Sequence, residues 1–245
     1  MVIFFAIVFY IYLFSVVPLH EVNKNNYLCN FLFVTLGMDI CKIKNLIFDF
    51  GGVLVDLDKA RCLDAFTQLG FPTMGSMLDA YCQQGLLGRL EEGLISPEEF
   101  CHQMRAMGGN DVADEEIWQA WTRFLVGIPT WKLEALIELR KHYPIYLLSN
   151  TNKVHWQHAV DHFFPHKQWK VEDYFDKIFL SYELHQLKPG EEIFRTVIAE
   201  TGVLPEETLF IDDASANCDT ARSLGIHTYQ PMPGEDWRTL FGNML

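Results

Sequence analysis

From residue 43 onward, short and mainly apolar runs end abruptly in polar turns, and helical periodicity follows each turn. Candidate strands are 45–48, 145–148, 177–180, 208–211 and 226–229, with helical segments between them such as 132–142, ended by Pro144, and 191–201, ended by Gly202. Strands that alternate with helices predict an α/β fold: a Rossmann-like, doubly wound parallel sheet covered on both faces. In such sheets ligands bind outside the carboxyl ends of the strands. The polar residues just past those ends are therefore the candidates for chemistry.

One interval breaks the alternation. Between Leu57 and about Pro129 there is no strand candidate, only helix-like sequence. Ser96-Pro97-Glu98-Glu99 opens one of these helices, with Pro in the first turn and Glu three residues past the Ser, as in a capping box. Trp118, Trp121 and Phe124 share one helical face, which reads as packing more readily than as a stacking surface for substrate. The expected division is a core of 38–56 and 130–245 with a helical cap, 57–129, inserted after the first strand. Such an insert sits over the strand ends and can act as a lid. Arg89 and Glu91 are the cap side chains that could reach a substrate, although a solvated helix face is the simpler reading.

Four strand ends carry polar groups. The first strand leads to Asp49 and then Gly51 and Gly52, where the backbone is free to turn sharply. The second leads to Ser149, Asn150 and Thr151, a hydroxyl followed by N–H groups that can face an oxyanion if a helix begins there. After the third comes Lys188, placed before Pro189 and a helix start. That position opposes the helix dipole and so suggests a task for the charge. The fourth leads to Asp212 and Asp213, adjacent carboxylates that a divalent cation or a lysine would relieve. Oxygen-only ligands without His or Cys favour Mg²⁺. Each group alone could be an ordinary turn acid, helix cap or solvated lysine; their order along the chain is the stronger signal.

Composition narrows the class of partner. The chain of 245 residues carries a formal net charge of −13, and residues 1–37 contain only Glu21 and Lys24 as ionised side chains. So acidic a body repels nucleic-acid backbones and anionic lipid surfaces. Cysteines 29, 41, 62, 82, 101 and 218 form no CxxC pair and no zinc-like cluster with histidine. Scattered single cysteines predict reduced, mostly buried thiols and a cytoplasmic location. The stretch from Val2 to Val17 is uncharged and almost wholly apolar, about one residue short of the shortest membrane span. It fits an uncleaved membrane anchor, a poor signal peptide, or sequence upstream of a true start at Met38. The last is the favoured reading, and membrane association is expected only if the extension is genuine.

The runs FDFGGVLVDLD, LLSNTN, LKPGEEIF and FIDDASAN, in that order, resemble the haloacid dehalogenase superfamily over Ile43 to Tyr229. They are most similar to its sugar-1-phosphate phosphatase branch, and the cap stretch Glu91-Glu92-Gly93-Leu94-Ile95-Ser96-Pro97-Glu98-Glu99-Phe100 resembles that branch as well. The resemblance implies a Mg²⁺-dependent phosphatase of small phosphorylated metabolites, with Asp49 as nucleophile forming an aspartyl-phosphate. It implies Mg²⁺ on Asp49, the Gly51 carbonyl and Asp212, with Asp213 in support. Ser149, Asn150 and Lys188 would bind the phosphoryl group, Lys188 also serving catalysis. The departure is Gly51, where most phosphatases of the superfamily carry a second aspartate as general acid and base. The loss fits a slow or inactive enzyme or, the preferred reading, an enzyme that answers it with a sugar 1-phosphate, whose leaving group is comparatively acidic, or with an acid supplied by the cap. A second departure is His185-Gln186-Leu187, where relatives often have a glycine. Two rivals are a 2-haloacid dehalogenase, which has no need of the Asp212–Asp213 pair, and a non-catalytic binding protein on the same fold.

Overall fold

The computed structural model of the chain describes residues 40–72, 85–108 and 111–245. The apolar stretch 2–17, Met38, Cys29 and Cys82 lie outside the described residues. No described helix is long and apolar enough to cross a membrane. Residues Ile43–Trp237 form one compact unit.

Its centre is a five-stranded parallel sheet. In chain order the strands are β1 (Asn45–Phe48), β4 (Ile145–Ser149), β5 (Lys177–Leu180), β6 (Thr208–Ile211) and β7 (His227–Tyr229), arranged β5-β4-β1-β6-β7. Central strands are buried on both faces, so they need continuous rather than alternating apolar sequence. β1 and β6 meet that demand as Asn-Leu-Ile-Phe and Thr-Leu-Phe-Ile, the latter buried throughout. The edge strands β5 and β7 begin on Lys177 and His227 and are more open. The order puts β1 between β4 and β6, so the turns following these three strands emerge side by side at one rim.

Helices α5 (Thr130–Leu139), α6 (Lys153–His162), α7 (Val171–Tyr174), α8 (Ser181–Leu184), α9 (Glu191–Thr201) and α10 (Ser215–Ser223) fill the crossovers. α9 has the expected bounds. α5 starts earlier than expected, after Pro129, and stops at Leu139, three residues before the expected end.

The insert holds α1 (Lys59–Gln68), α2 (Leu86–Glu91), α3 (Pro97–Gly108) and α4 (Asp114–Thr122). Ser96 caps α3 as expected, its Oγ accepting the Glu99 N–H at 3.2 Å. The insert has its own apolar cluster, in which Phe66, Phe100, Ile117 and Trp121 are buried. Trp121 stacks on Phe124, and Trp118 stacks on Phe100, so the aromatic face is used for packing. The expectation of no strand between 57 and 129 is corrected by a small antiparallel ribbon, β2 (Asp56–Leu57) with β3 (Leu125–Gly127). Strands this short carry no readable alternation. The ribbon closes the neck of the insert, and Lys132 Nζ on α5 pins it through Asp56 Oδ1 at 2.8 Å. Among the described cysteines, Cys62, Cys101 and Cys218 are buried free thiols, as expected.

Candidate active site

The sheet delivers its polar groups to a single place. Asp49 follows β1, and its N–H continues the ladder by donating to the Ile211 carbonyl at 2.9 Å. Asp212 follows β6 and donates likewise to the Tyr229 carbonyl at 3.1 Å. Both carboxylates are thus aimed by sheet backbone rather than by a mobile loop. Lys188 enters from the loop before α9 with its side chain buried. Its Nζ donates to Asp49 Oδ1 at 2.7 Å, to Asp212 Oδ2 at 2.6 Å and to the Leu148 carbonyl at 3.0 Å. An ammonium has three N–H donors, and each has an acceptor here.

The electrostatics follow from that packing. Burial works against the Lys188 charge, but Asp49 and Asp212 outweigh it and hold its pKa above the usual lysine value. On Asp49 burial acts upward, opposed by Lys188 and reinforced by Asp212 and Asp213, and its pKa is pushed up to about 7. Asp213 is also raised, by withdrawal of its carboxyl from water and then by the Asp212 charge. One oxygen from each of Asp49, Asp212 and Asp213 lies within 4.8 Å of the others. Three carboxylates facing one ammonium leave surplus negative charge, which a hard divalent cation with oxygen ligands would neutralise. The donor set therefore fits Mg²⁺. Gly51, whose carbonyl is the remaining expected ligand, sits in the turn that follows Asp49 and bridges to Val55.

The turn also fixes Asp213. Gly52 has φ +77°, and a Cβ on it would lie 2.3 Å from Asp213 Oδ2. Only a glycine combines that conformation with that approach.

At the end of β4 the picture differs from the sequence reading. Ser149 is fully buried, and its hydroxyl makes a long 3.3 Å bond to the Asn150 carbonyl. The Asn150 side chain is occupied with the Lys188 backbone: Nδ2 donates to the Lys188 carbonyl at 2.8 Å and Oδ1 accepts the Lys188 N–H at 2.9 Å. It is a clamp on the lysine. The Thr151 N–H, expected to face an oxyanion, instead donates to Ser181 Oγ at 2.9 Å. The helix does not begin here either. Asn152 caps it, accepting the His155 N–H at 3.0 Å, and α6 starts at Lys153.

Sequence reasoning missed several residues. Asn217 donates to both Asp212 oxygens, at 3.0 Å each, and the Ala214 N–H adds a 2.8 Å bond to Oδ1. The run FIDDASAN contained the signal, since Asn217 lies in the first turn of the helix after the acid pair. Ser181, at the start of α8, had no such mark. Its Oγ accepts the Thr151 N–H at 2.9 Å, and its single proton points to the Glu91 carbonyl of the insert at 2.6 Å, with the Thr151 carbonyl at 3.0 Å beside it.

A parallel sheet with a lysine-bridged acid pair and an aspartate at its central rim defines a class of hydrolase. The haloacid dehalogenase-like hydrolase family model matches residues 43–225, and the chain belongs to that family. Its relatives put it in the phosphatase branch. It is 43% identical to the D-ribitol-5-phosphate phosphatase of Bacteroides thetaiotaomicron over 196 residues, 80% of this chain and 95% of that one. It is also similar to the crystal structure of a haloacid dehalogenase family enzyme of the same organism, an Asp-to-Ala variant in complex with magnesium and inorganic phosphate. The TM-score is 0.80 and the identity 47%, covering 81% of this chain and 98% of that one. The L-2-haloacid dehalogenase of Xanthobacter autotrophicus shares the fold at 22% identity and a TM-score of 0.53, over 77% of each chain.

Proposed function

We propose that this protein is a Mg²⁺-dependent phosphatase that hydrolyses a small phosphorylated polyol or sugar through an aspartyl-phosphate on Asp49. The observation that carries the proposal is the buried contact of Lys188 with Asp49 and Asp212 beside a third carboxylate. Lys188 holds one Asp49 oxygen, and among the described residues Oδ2 has no hydrogen bond, as an attacking atom requires. Asp49, Asp212, Asp213 and the Gly51 carbonyl would hold Mg²⁺, which when bound supplies positive charge against two approaching anions. The Lys188 ammonium offsets phosphoryl charge, and Asn150 fixes where that ammonium stands. Splitting the displacement in two through a covalent intermediate lowers each barrier. The magnesium complex of a similar structure supports the metal.

Two substrate classes compete. The D-ribitol-5-phosphate phosphatase relative favours a primary phosphate of a polyol. Gly51, which offers no acid to the leaving oxygen, favours a sugar 1-phosphate. Turnover of D-ribitol 5-phosphate, glucose 1-phosphate and glucose 6-phosphate, with and without Mg²⁺, separates them. Asp49→Asn is expected to lower p-nitrophenyl phosphate hydrolysis by roughly 10⁴-fold. Undiminished hydrolysis in that variant, or in the presence of EDTA, sinks the proposal.

A further inference from the structure

The site as described has a nucleophile but no proton donor for the leaving oxygen. Gly51 is bare, Asp49 and Asp212 are engaged with Lys188, and Asp213 belongs to the expected cation set. Among the described residues a carboxyl from the insert is the candidate source. Glu91, the last residue of α2, is half buried instead of lying on a solvated face, whereas its neighbour Arg89 is exposed. Among the described residues its carboxylate has neither an ion pair nor a hydrogen bond. Its backbone is fixed over the rim. Ser181 Oγ donates to the Glu91 carbonyl and bonds Thr151, two residues past the end of β4. His185 Nδ1 donates to the Glu92 carbonyl at 2.9 Å. Gly93 packs so closely that a Cβ would fall 2.2 Å from the Tyr182 carbonyl oxygen. α8 and the loop after it thus grip three consecutive residues of the insert.

We infer that Glu91 is the general acid and base of this phosphatase, standing in for the aspartate that Gly51 lacks. The inference rests on the phosphatase reading above. In the first step the bond from Asp49 Oδ2 to phosphorus forms and the bond from phosphorus to the substrate oxygen breaks. That oxygen takes the proton of Glu91 and leaves as the alcohol. In the second step a water oxygen bonds to phosphorus while Glu91 takes the water proton. The aspartyl oxygen–phosphorus bond breaks, its electron pair returns to Asp49, and phosphate departs. Glu91 ends as it began, protonated.

The local charges suit both roles. Burial raises the Glu91 pKa to about 7, and Lys188 opposes the rise. The elements packed against α2 carry further titratable groups: Tyr182 and Glu183 of α8, His185 just after it, and Glu98, Glu99, His102 and Arg105 of α3, with Arg89 and Glu92 on its own helix end. A carboxyl near neutrality can give a proton in one step and take one in the next.

The test exploits leaving groups. p-Nitrophenolate departs without a proton, and an alkoxide does not. In Glu91→Gln, rapid-quench measurement should show transfer from a primary alkyl phosphate slowed by about 10²–10⁴-fold. The p-nitrophenolate burst should change by less than about threefold, which also verifies that the variant is folded. Equal slowing of both substrates, or none with the alkyl ester, overturns the inference. A second measurement uses the unmutated protein. Across aryl and alkyl phosphates, transfer should depend only weakly on leaving-group basicity; a steep dependence, or hydrolysis of p-nitrophenyl phosphate with no alkyl turnover, overturns it as well. Asp49→Asn keeps the two proposals apart, because activity surviving that change defeats the phosphatase reading whatever Glu91 does.

Discussion

The strand-end rim and the junction of the insert with α6 each bury a basic nitrogen, and they treat it in opposite ways. At the rim Lys188 keeps its charge, because two carboxylates and a carbonyl accept its protons. At the junction His155 is also buried, but it faces the Trp121 ring at 4.5 Å and donates through Nε2 to the Trp121 carbonyl at 3.0 Å. Among the described residues no carboxylate compensates there, and burial pushes its pKa down to about 4. Burial alone therefore does not decide ionisation; the partners enclosed with the group decide it.

Removing the base from each site breaks the comparison most directly. Lys188→Met leaves Asp49 and Asp212 buried and facing each other without their cation, and it should cost about 3–5 kcal/mol in urea unfolding at neutral pH. The loss should shrink on acidification, as Asp49, whose carboxyl burial already pushes up to about 7, takes up a proton. Equal destabilisation at pH 7 and pH 5 would mean the lysine acts there through packing alone.

His155 should behave in the reverse sense. Its folded pKa lies below the unfolded value, so the unfolded chain binds the extra proton as the pH falls. The neutral histidine costs nothing above about pH 6.5, and stability is lost progressively from there down to pH 4, by about 3 kcal/mol in all. In His155→Phe that portion of the acid sensitivity should vanish, at a neutral-pH cost of about 1 kcal/mol for the lost bond, the Trp121 carbonyl keeping the Phe124 N–H at 3.1 Å. An unchanged acid limb in the variant would assign the sensitivity to other groups.

The smallest effect sharpens the contrast by testing contact between insert and rim. Gly93→Ala must hold φ near +70° and move the Tyr182 carbonyl, at an expected cost of about 1–3 kcal/mol. Alkyl phosphate turnover should fall more than p-nitrophenyl phosphate turnover, because Glu91 shifts with the strained segment. Kinetics matching the parent protein would show that the segment can give way without disturbing the site.

The two regions were unequally legible in the sequence. Asp49 and Asp212 directly follow apolar runs whose length and burial fix where the chain turns, whereas Lys188 lies beyond α8 and was marked by its place before Pro189 and a helix start. The clamp of Asn150 on Lys188 was not readable, since it joins backbone groups 38 positions away. Ser181 escaped for the same reason: its bonds reach the insert 90 residues earlier. Thr151 was misread because sequence shows an N–H but not the hydroxyl that takes it. In the insert, Ser96 gave away one helix start and the Trp118–Trp121 spacing one packed face. Glu91 looked like surface because half-burial comes from α8, a partner that helical periodicity does not contain.

The close approach of Gly52 to Asp213 has a consequence for variation in this chain. A hydrogen atom, where every other residue carries carbon, keeps one acid on the ion's side of the rim. Substitution there would displace the Asp213 carboxylate while every proposed ligand residue stays in the sequence, so on the proposed cation set a loss of magnesium affinity would originate at a position with no functional group at all.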